Sequence, residues 1–302
     1  MTLKEIEAFY WTAVLSNFSL AAAKLHITQS SLSKRVAELE ASVGVPLFER
    51  SSKKVQLTDS GVRLLPIARQ FLDLADSMQA EAVATTRLSG ECKFGISELI
   101  ALTWLPGLVN SVRQRHPGLK LQPYVDLARG LERRVVRGEL DFAVAPGPAE
   151  SSALVSEKIA GVEFTWIGAP SRISPGTVIA ASDLPRYPLI TMTEGSGLTR
   201  AFEKWANEQG MPPQRTVACN SLMGIVGLTI ADVGISFLPA RFVQPWLDRG
   251  VLVAIRSVPP LPTLDYCFIH RQDDSRTVVR ELKQYVHEAS SATGWSLPAP
   301  FI

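Results

Sequence analysis

The chain has 302 residues, of which 46% are hydrophobic, so it can bury more than one hydrophobic core and we expect two or three domains. Its 31 basic and 29 acidic residues leave a formal net charge of +2, which excludes attraction to nucleic acid through a global positive field. Any affinity for DNA must come from a local cluster of cations.

The sequence shows no targeting or membrane segment. Glu5 and Glu7 interrupt residues 1–16, so no apolar run precedes a cleavage site of small residues. The apolar stretches 99–109 and 222–231 are too short for a membrane helix. We expect a cytoplasmic protein without a membrane partner.

Cysteine and histidine are too sparse for a metal site or a disulfide framework. Cys92, Cys219 and Cys267 are far apart along the chain, and the four histidines show no ligand spacing. We expect reduced thiols, no metal and no resident cofactor. Redox sensing by one of these thiols stays open as an alternative.

Residues 3–44 predict three helices. Apolar residues recur at helical spacing over residues 3–15, which indicates a first helix that supports the others. Residues 18–44 indicate a helix, a tight turn and a further helix. We expect Ser19 to cap the second helix. The apolar side of that helix is expected to carry Leu20, Ala23 and Leu25.

The third helix presents a polar and basic surface at its start. Leu32, Val36 and Leu39 recur at helical spacing and are expected in the core, and Thr28 or Ser30 can cap the helix. Side chains of these types bind base edges and phosphates in the DNA major groove. The candidate DNA-binding residues here are Thr28, Gln29, Ser30, Ser31, Ser33, Lys34 and Arg35. The alternative is an ordinary amphipathic helix pair with a solvated polar face.

A winged extension follows, and it favours the DNA-binding interpretation. Residues 45–58 predict two short strands around a basic turn, and Thr58 can cap the next helix. Three cations of the turn would lie beside the third helix, where a phosphate backbone passes. These further candidate DNA-binding residues are Arg50, Lys53 and Lys54.

Residues 1–60 closely resemble the winged helix-turn-helix domain of LysR-type transcriptional regulators. The matching positions are Ala21-Ala22 with Leu25, Thr28-Gln29, Ser33, Leu39-Glu40, Gly44, Leu47-Phe48-Glu49-Arg50, and Leu57-Thr58 with Gly61. Ser30 departs from the pattern, since many members carry proline there. The resemblance implies an all-α winged helix-turn-helix domain over residues 1–60 that binds double-stranded operator or promoter DNA.

Residues 58–88 predict a long helix, bent near its start by Pro66. Its apolar residues follow a heptad pattern, namely Leu64, Ala68, Phe71, Ala75, Met78 and Ala82. Such a helix packs either on its own domain or on its twin in a dimer. The resemblance implies the second, with residues 58–90 as linker helix and hinge of a homodimer. Residues 85–90 are mostly polar and end in glycine, which predicts the hinge there.

From residue 91 strands and helices alternate, which predicts an α/β region with a parallel sheet and crossover helices. The predicted strands are residues 92–97, 119–126, 140–145, 162–168, 188–192, 215–219, 234–239, 251–255 and 264–270. The predicted helices are residues 101–115, 129–137, 198–209, a segment from 222, and 275–290, with an irregular tail.

Residues 91–302 resemble the effector domain of the same family. The matching positions are Gly95 with Leu105-Pro106, His116-Pro117, Gly138-Glu139-Leu140-Asp141, Pro188-Leu189-Ile190, Gly210, and Val233-Gly234-Ile235 with Leu238-Pro239. The resemblance implies two α/β subdomains like those of periplasmic binding proteins. The first would comprise residues 91–161 and 265–302, and the second residues 162–264. A small-molecule effector binds in the cleft between such halves.

Candidate effector residues close the predicted strands or open the helices that follow. They are Ser97, Glu98, Leu99, Ala128, Arg129, Pro146, Ser196, Thr199, Arg200 and Asn220. Hydroxyls, backbone N–H groups at helix starts and arginine bind anions, so we expect an anionic effector. For each residue taken singly, a helix cap is the alternative.

Two positions depart from the family's usual effector site. Many relatives have a hydroxyl at the positions of Leu99 and Ala128, where it holds an effector carboxylate. The apolar residues here favour an effector with a larger apolar part, or one held from the side of Ser196 and Arg200.

Rival classes find less support. The chain lacks the nucleophile, phosphate-binding, dinucleotide and zinc-protease motifs of common enzymes, so we expect no enzyme. An architectural DNA binder would leave most of the chain without a task. We expect an effector-controlled DNA-binding regulator, with a ligand-independent or thiol-sensing regulator as the alternative. The family resemblance also implies a homotetramer of two dimers, and RNA polymerase is a further candidate partner.

Overall fold

The computed structural model describes residues 1–49, 55–82, 87–210, 215–274 and 276–298. The chain divides into two compact units, Met1–Thr86 and Arg87–Ile302. Within the described ranges, no helix is long and apolar enough to cross a bilayer.

The described part of the first unit contains the helices α1 (Leu3–Leu15), α2 (Phe18–Lys24), α3 (Gln29–Val43) and α4 (Asp59–Ala82). The predictions of α1 and of α3 after a Thr28 cap are confirmed, since Thr28 Oγ1 accepts from the Ser31 N–H at 3.2 Å. Gly44 ends α3 with φ +77°, a conformation that glycine adopts without strain. The core of the unit is built around Phe9, Leu32 and Leu47.

Two predictions about α2 are wrong. Its cap is Asn17, whose side chain accepts from the Leu20 N–H at 3.0 Å, and not Ser19. The buried residues are Ala21 and Ala22, whereas Leu20 and Ala23 are exposed. Alanine on the inner face lets a helix of seven residues approach its neighbours closely, and the pattern of larger residues misses this.

Where the wing is described, at residues 45–49 and 55–58, Phe48 and Leu57 form an isolated antiparallel bridge in place of the two predicted strands. The Glu49 N–H donates to the Gln56 carbonyl at 2.9 Å beside it. The basic turn with Arg50, Lys53 and Lys54 lies outside the described residues. Thr58 begins α4 as predicted, because its hydroxyl accepts from the Gly61 N–H at 3.0 Å.

The apolar seam predicted along α4 is only partly exposed for pairing. Ala68 is buried and Leu64 packs on the core of the first unit, so the first half of the seam is used internally. Exposed apolar side chains instead form a stripe with spacings of four, three and four residues. This α4 stripe comprises Ile67, Phe71, Leu74 and Met78.

The second unit begins earlier than predicted. Strand β1 spans Ser89–Ile96, so the predicted hinge is wrong at Ser89 and Gly90, and the predicted helix end at Leu88 is wrong too. The main-chain ladder between β1 and the next strand, Gly118–Val125, starts at Ser89, opposite Gly118, and this pairing overrides the local preference of glycine. Residues 83–86 lie outside the described residues.

Two main sheets organise the second unit. The first has the order β2-β1-β3-β11-β4, and the second the order β6-β10-β5-β9 beside a two-stranded sheet β7-β8. The strands after β1 are β2 (Gly118–Val125), β3 (Phe142–Pro146), β4 (Leu154–Val162), β5 (Phe164–Gly168), β6 (Val178–Ala180), β7 (Ile190–Met192), β8 (Val217–Cys219), β9 (Ser236–Pro239), β10 (Val253–Val258) and β11 (Leu264–Arg271).

The helices of this unit are α5 (Glu98–Leu102), α6 (Leu105–Arg115), α7 (Ala128–Val136), α8 (Gly197–Glu208), α9 (Leu222–Ile230), α10 (Ala240–Asp248) and α11 (Thr277–Thr293), with a 3-10 helix at Ala181–Arg186. Strands β4 and β6, α10 and the 3-10 helix were not predicted. The predicted helix 101–115 is two helices, because Pro106 cannot continue a helix but is accepted at the start of one.

The predicted parallel sheet is confirmed for three strands of the first sheet and is wrong for β11. Strands β2, β1 and β3 are parallel, whereas β11 runs antiparallel to both β3 and β4. The chain leaves the first sheet after β4, builds the second sheet, and returns as β11 in the opposite direction. The stacked rings of Phe94, Phe142 and Phe268 fill the core of the first sheet, with centroid distances of 5.2 and 4.6 Å.

Candidate functional site

The start of α3 is an exposed polar surface. Thr28 Oγ1 lies 3.0 Å from both Ser30 Oγ and Ser31 Oγ, so the first turn carries a connected set of hydroxyls. Gln29 is exposed, and its Oε1 accepts from Ser19 Oγ at 3.0 Å, which holds the amide in one orientation. An oriented glutamine at a helix start suits an adenine edge.

The other predicted residues of this surface continue along α3. Ser33 and Lys34 are exposed and Arg35 is half-buried. Lys34 Nζ lies 3.8 Å from Glu38 Oε1, an exposed pair that leaves the ammonium accessible to phosphate. An open concavity of about 600 Å³ lies between α2, Gln29 and Gln56 of the wing. The surface therefore combines base-reading and phosphate-binding groups beside a groove.

Glu40 positions the wing and was not singled out as a site residue. Its Oε1 accepts from the backbone N–H of Leu47 at 2.6 Å and of Phe48 at 3.2 Å. The wing bridge at Phe48 is thereby attached to α3 by a carboxylate. Only the place of Glu40 in the matching sequence pattern pointed to it.

A cleft of about 360 Å³ lies between the two main sheets of the second unit, within the size range of small-molecule sites. Seven of the predicted effector residues line it, namely Ser97, Glu98, Leu99, Ala128, Pro146, Ser196 and Asn220. Asp126 and Ser221, which the sequence placed at a strand end and a helix start beside the cleft, line it as well. The lining also includes residues that the sequence did not indicate, among them Phe164, Met192, Leu222 and Tyr266. Tyr266 lies within β11 and Phe164 at the start of β5, so no strand-end signal identifies them.

Three predicted effector residues lie outside the lining. The Thr199 hydroxyl is buried and donates to the Met192 carbonyl at 2.8 Å. Arg129 and Arg200 both pair with Glu150, Arg129 at 3.3 Å. Hydrogen bonds from Arg200 and then Arg129 lower the pKa of the Glu150 carboxyl. The two guanidinium groups are therefore engaged by Glu150, and neither arginine lines the cleft.

Direct contacts join the two sides of the cleft. Glu98 of α5 accepts from Ser221 Oγ at 2.9 Å and from the Leu222 N–H at 2.6 Å, at the start of α9. The Arg129 N–H donates to the Gly195 carbonyl at 3.2 Å. At Gly197 a Cβ atom would lie 2.5 Å from Pro146 Cβ, so the start of α8 requires glycine there. These contacts hold the halves together in this structure.

The Ser97 and Tyr266 hydroxyls, from two residues that line the cleft, lie beside each other. Burial raises the pKa of Tyr266, and the Ser97 hydroxyl beside it opposes this shift. Ser97 Oγ is buried and makes no hydrogen bond of good geometry with the described residues. A polar atom in this condition is available to a bound molecule.

Comparison with known proteins finds a family match for each of the two units. The family model described as the bacterial regulatory helix-turn-helix protein, lysR family, matches residues 3–62, and that of the LysR substrate binding domain matches residues 85–291. A probable hydrogen peroxide-inducible genes activator of Mycobacterium avium is 28% identical over 295 residues, covering 96% of this chain and 95% of that protein. The transcriptional regulator CzcR of Bacillus subtilis is 25% identical over 277 residues, covering 90% and 92%.

Solved structures show the same fold. A full-length OxyR variant from Pseudomonas aeruginosa superposes with a TM-score of 0.77 at 22% identity, covering 98% of this chain and 96% of that one. Both family models together span nearly the whole sequence. The chain belongs to the LysR family of transcriptional regulators, DNA-binding proteins with a helix-turn-helix domain and an effector-binding domain.

Proposed function

We propose that this regulator binds operator DNA through the first turns of α3 and is controlled by a small molecule in the cleft between the two sheets. The observation that carries the proposal is the cleft itself. It has about 360 Å³ of space, a Ser97 hydroxyl without a well-formed hydrogen bond, and walls from both halves of the effector domain. A ligand there can change how the halves are held, to the extent that it binds one arrangement better than the other.

The regulator acts as a dimer through the α4 stripe, whose side chains are between 46% (Phe71) and 69% (Met78) exposed. Apolar side chains at heptad spacing on a helix surface pair with a second copy. We place the protein in the cytoplasm with its DNA, with two dimers forming a tetramer and RNA polymerase as a further partner. The operator is then an inverted repeat with one half-site for each recognition helix.

Thiol sensing is the weaker candidate, although one relative is named as a peroxide-inducible activator. Cys92 and Cys267 are buried, and burial, followed by the charge of Asp265, raises the pKa of the Cys267 thiol. A thiol with a raised pKa is a poor nucleophile toward oxidants. Burial and the raised pKa both disfavour oxidation of Cys267.

The test is a thermal-shift screen of the full-length protein against small metabolites. A specific ligand raises the melting temperature by mass action. Asn220→Trp should remove the shift, because this exposed residue lines the cleft and an indole there blocks it. Asn207→Trp, on the exposed side of α8, is the matched control and should keep the shift. An equal shift in all three proteins would place the ligand elsewhere.

A further inference from the structure

The start of α9 already holds a carboxylate. Ser221, the N-cap of α9, donates its hydroxyl hydrogen to Glu98 Oε1, and the Leu222 N–H donates to Glu98 Oε2. Exposed N–H groups and the helix dipole make such a start the natural place for an anion. In this chain the anion comes from the opposite wall of the cleft.

The cleft lining offers no positively charged partner for a negative charge on a ligand. The described residues that line the cleft include two carboxylates, Glu98 and Asp126, and no lysine or arginine. The arginines that the sequence suggested, Arg129 and Arg200, both pair with Glu150 outside the lining. A ligand carboxylate would therefore lose water and meet like charge without a counter-ion.

The remaining surface suits a different chemistry. Leu99, Ala128, Phe164 and Met192 supply an apolar wall, which fits the body of a small organic molecule. Ser97 Oγ supplies a polar group without a well-formed hydrogen bond. Asp126 and Glu98 can accept hydrogen bonds from donors on the ligand.

We propose that Glu98 determines the specificity of the cleft by filling its anion site from within, and that the effector is a small molecule without negative charge. Its apolar body lies against Leu99 and Phe164, and its hydrogen-bond donors face the carboxylates. The inference rests on the proposed function of the cleft as the effector site. The sequence favoured an anionic effector because of the helix start and the two arginines. Glu98 already binds the helix start and Glu150 already binds both arginines, so that argument no longer holds.

The test is chemical rescue in the full-length protein. Glu98→Ala empties the space in front of Ser221 and Leu222 while keeping both donors. We expect its melting temperature to fall and then to rise with millimolar sodium acetate or benzoate, but not with equal sodium chloride or with benzamide. Glu98→Gln is the matched control, because its amide still fills the space and should block rescue. The unaltered protein should gain no more from benzoate than from sodium chloride.

Two results would overturn the proposal. One is stabilisation of the unaltered protein by benzoate that Asn220→Trp abolishes, since the cleft would then accept a carboxylate with Glu98 in place. The other is a folded Glu98→Ala protein that neither carboxylate stabilises more than chloride. If Glu98→Ala does not fold, the effect of benzoate on the melting temperature of the unaltered protein and of Asn220→Trp decides alone. If the cleft were not an effector site at all, no molecule of any charge would give a shift in melting temperature that Asn220→Trp abolishes.

Discussion

Among single residues, His116 connects three segments of the second unit. Its Nδ1 accepts from the Leu88 N–H at 2.9 Å, and its Nε2 lies 3.1 Å from the Tyr285 hydroxyl. With Nδ1 acting as acceptor, the ring must be neutral and carry its hydrogen on Nε2. Burial is the main cause that lowers the pKa of His116 below its ordinary value of 6.5.

This arrangement predicts a pH-dependent stability. The unfolded chain takes up a proton at His116 as the pH falls through about 6.5, whereas the folded protein does so only at lower pH. The stabilisation is thus complete above the ordinary pKa and is lost as the pH falls toward the folded value. Melting temperatures measured from about pH 7.5 to 5.5 should fall more steeply for the unaltered protein than for His116→Gln. His287→Gln should keep the steep fall of melting temperature with pH. The same fall in all three proteins would contradict the assignment of the pH dependence to His116.

Residue types and spacing located the surface of α3 and much of the cleft lining, because strand ends and helix starts are visible in a sequence. They could not locate the side chains' partners. Arg129 and Arg200 look like effector ligands until Glu150, far along the chain, is brought beside both. Glu98 looked like a ligand contact, yet it bonds to Ser221 across the cleft.

Among elements, the contact between α4 and the wing depends on the absence of a side chain. At Gly61 a Cβ atom would lie 2.2 Å from the Leu47 carbonyl oxygen. Glu40 fixes that part of the backbone from the other side by accepting from the Leu47 N–H. The backbone at Leu47 cannot move away from Gly61 without losing this hydrogen bond. Helix α3, the wing and α4 are therefore held tightly against one another at this point.

Gly61→Ala should therefore destabilise the protein by about 1–3 kcal/mol, the usual cost of overpacking. Gly107→Ala is the matched control, because Gly107 also lies in the first turn of a helix and nothing lies within 4 Å of its Cβ position. It should stabilise by roughly 0.5–1 kcal/mol. Urea unfolding measures both free energies. An unchanged free energy of unfolding for Gly61→Ala, or an equal decrease for Gly107→Ala, would show that the contact between Gly61 and Leu47 is not tight.

Elements with local signals were predicted well, and those decided by distant packing were not. Capping and periodicity are enough for α1 and α3. Helix α2 has seven residues, too few for periodicity to fix its inner face. Strand β4 lacks a regular alternation of buried and exposed residues, and only its pairing with β11 makes it a strand. The direction of β11 depends on the chain's return from the second sheet, which no local pattern contains.

At the scale of the whole molecule, the α4 stripe predicts the oligomeric state. Leu74→Glu places a charge in the middle of the stripe and should at least halve the mass measured by sedimentation. Val178→Glu, a substitution at a similarly exposed apolar residue of β6, should leave the mass unchanged. An unchanged mass for Leu74→Glu, or an equal loss in both variants, would exclude the stripe as the dimer interface.

The central claim, that the first turn of α3 recognises a DNA sequence, is tested most directly by selecting duplexes from a random library with the full-length protein. We expect an enriched inverted repeat. Gln29→Ala should lose about 1–3 kcal/mol of discrimination between that site and a mismatched copy. Lys34→Ala should instead weaken binding to both DNAs alike and flatten the salt dependence. Failure to enrich any sequence, or an equal loss on both DNAs for Gln29→Ala, would contradict the claim.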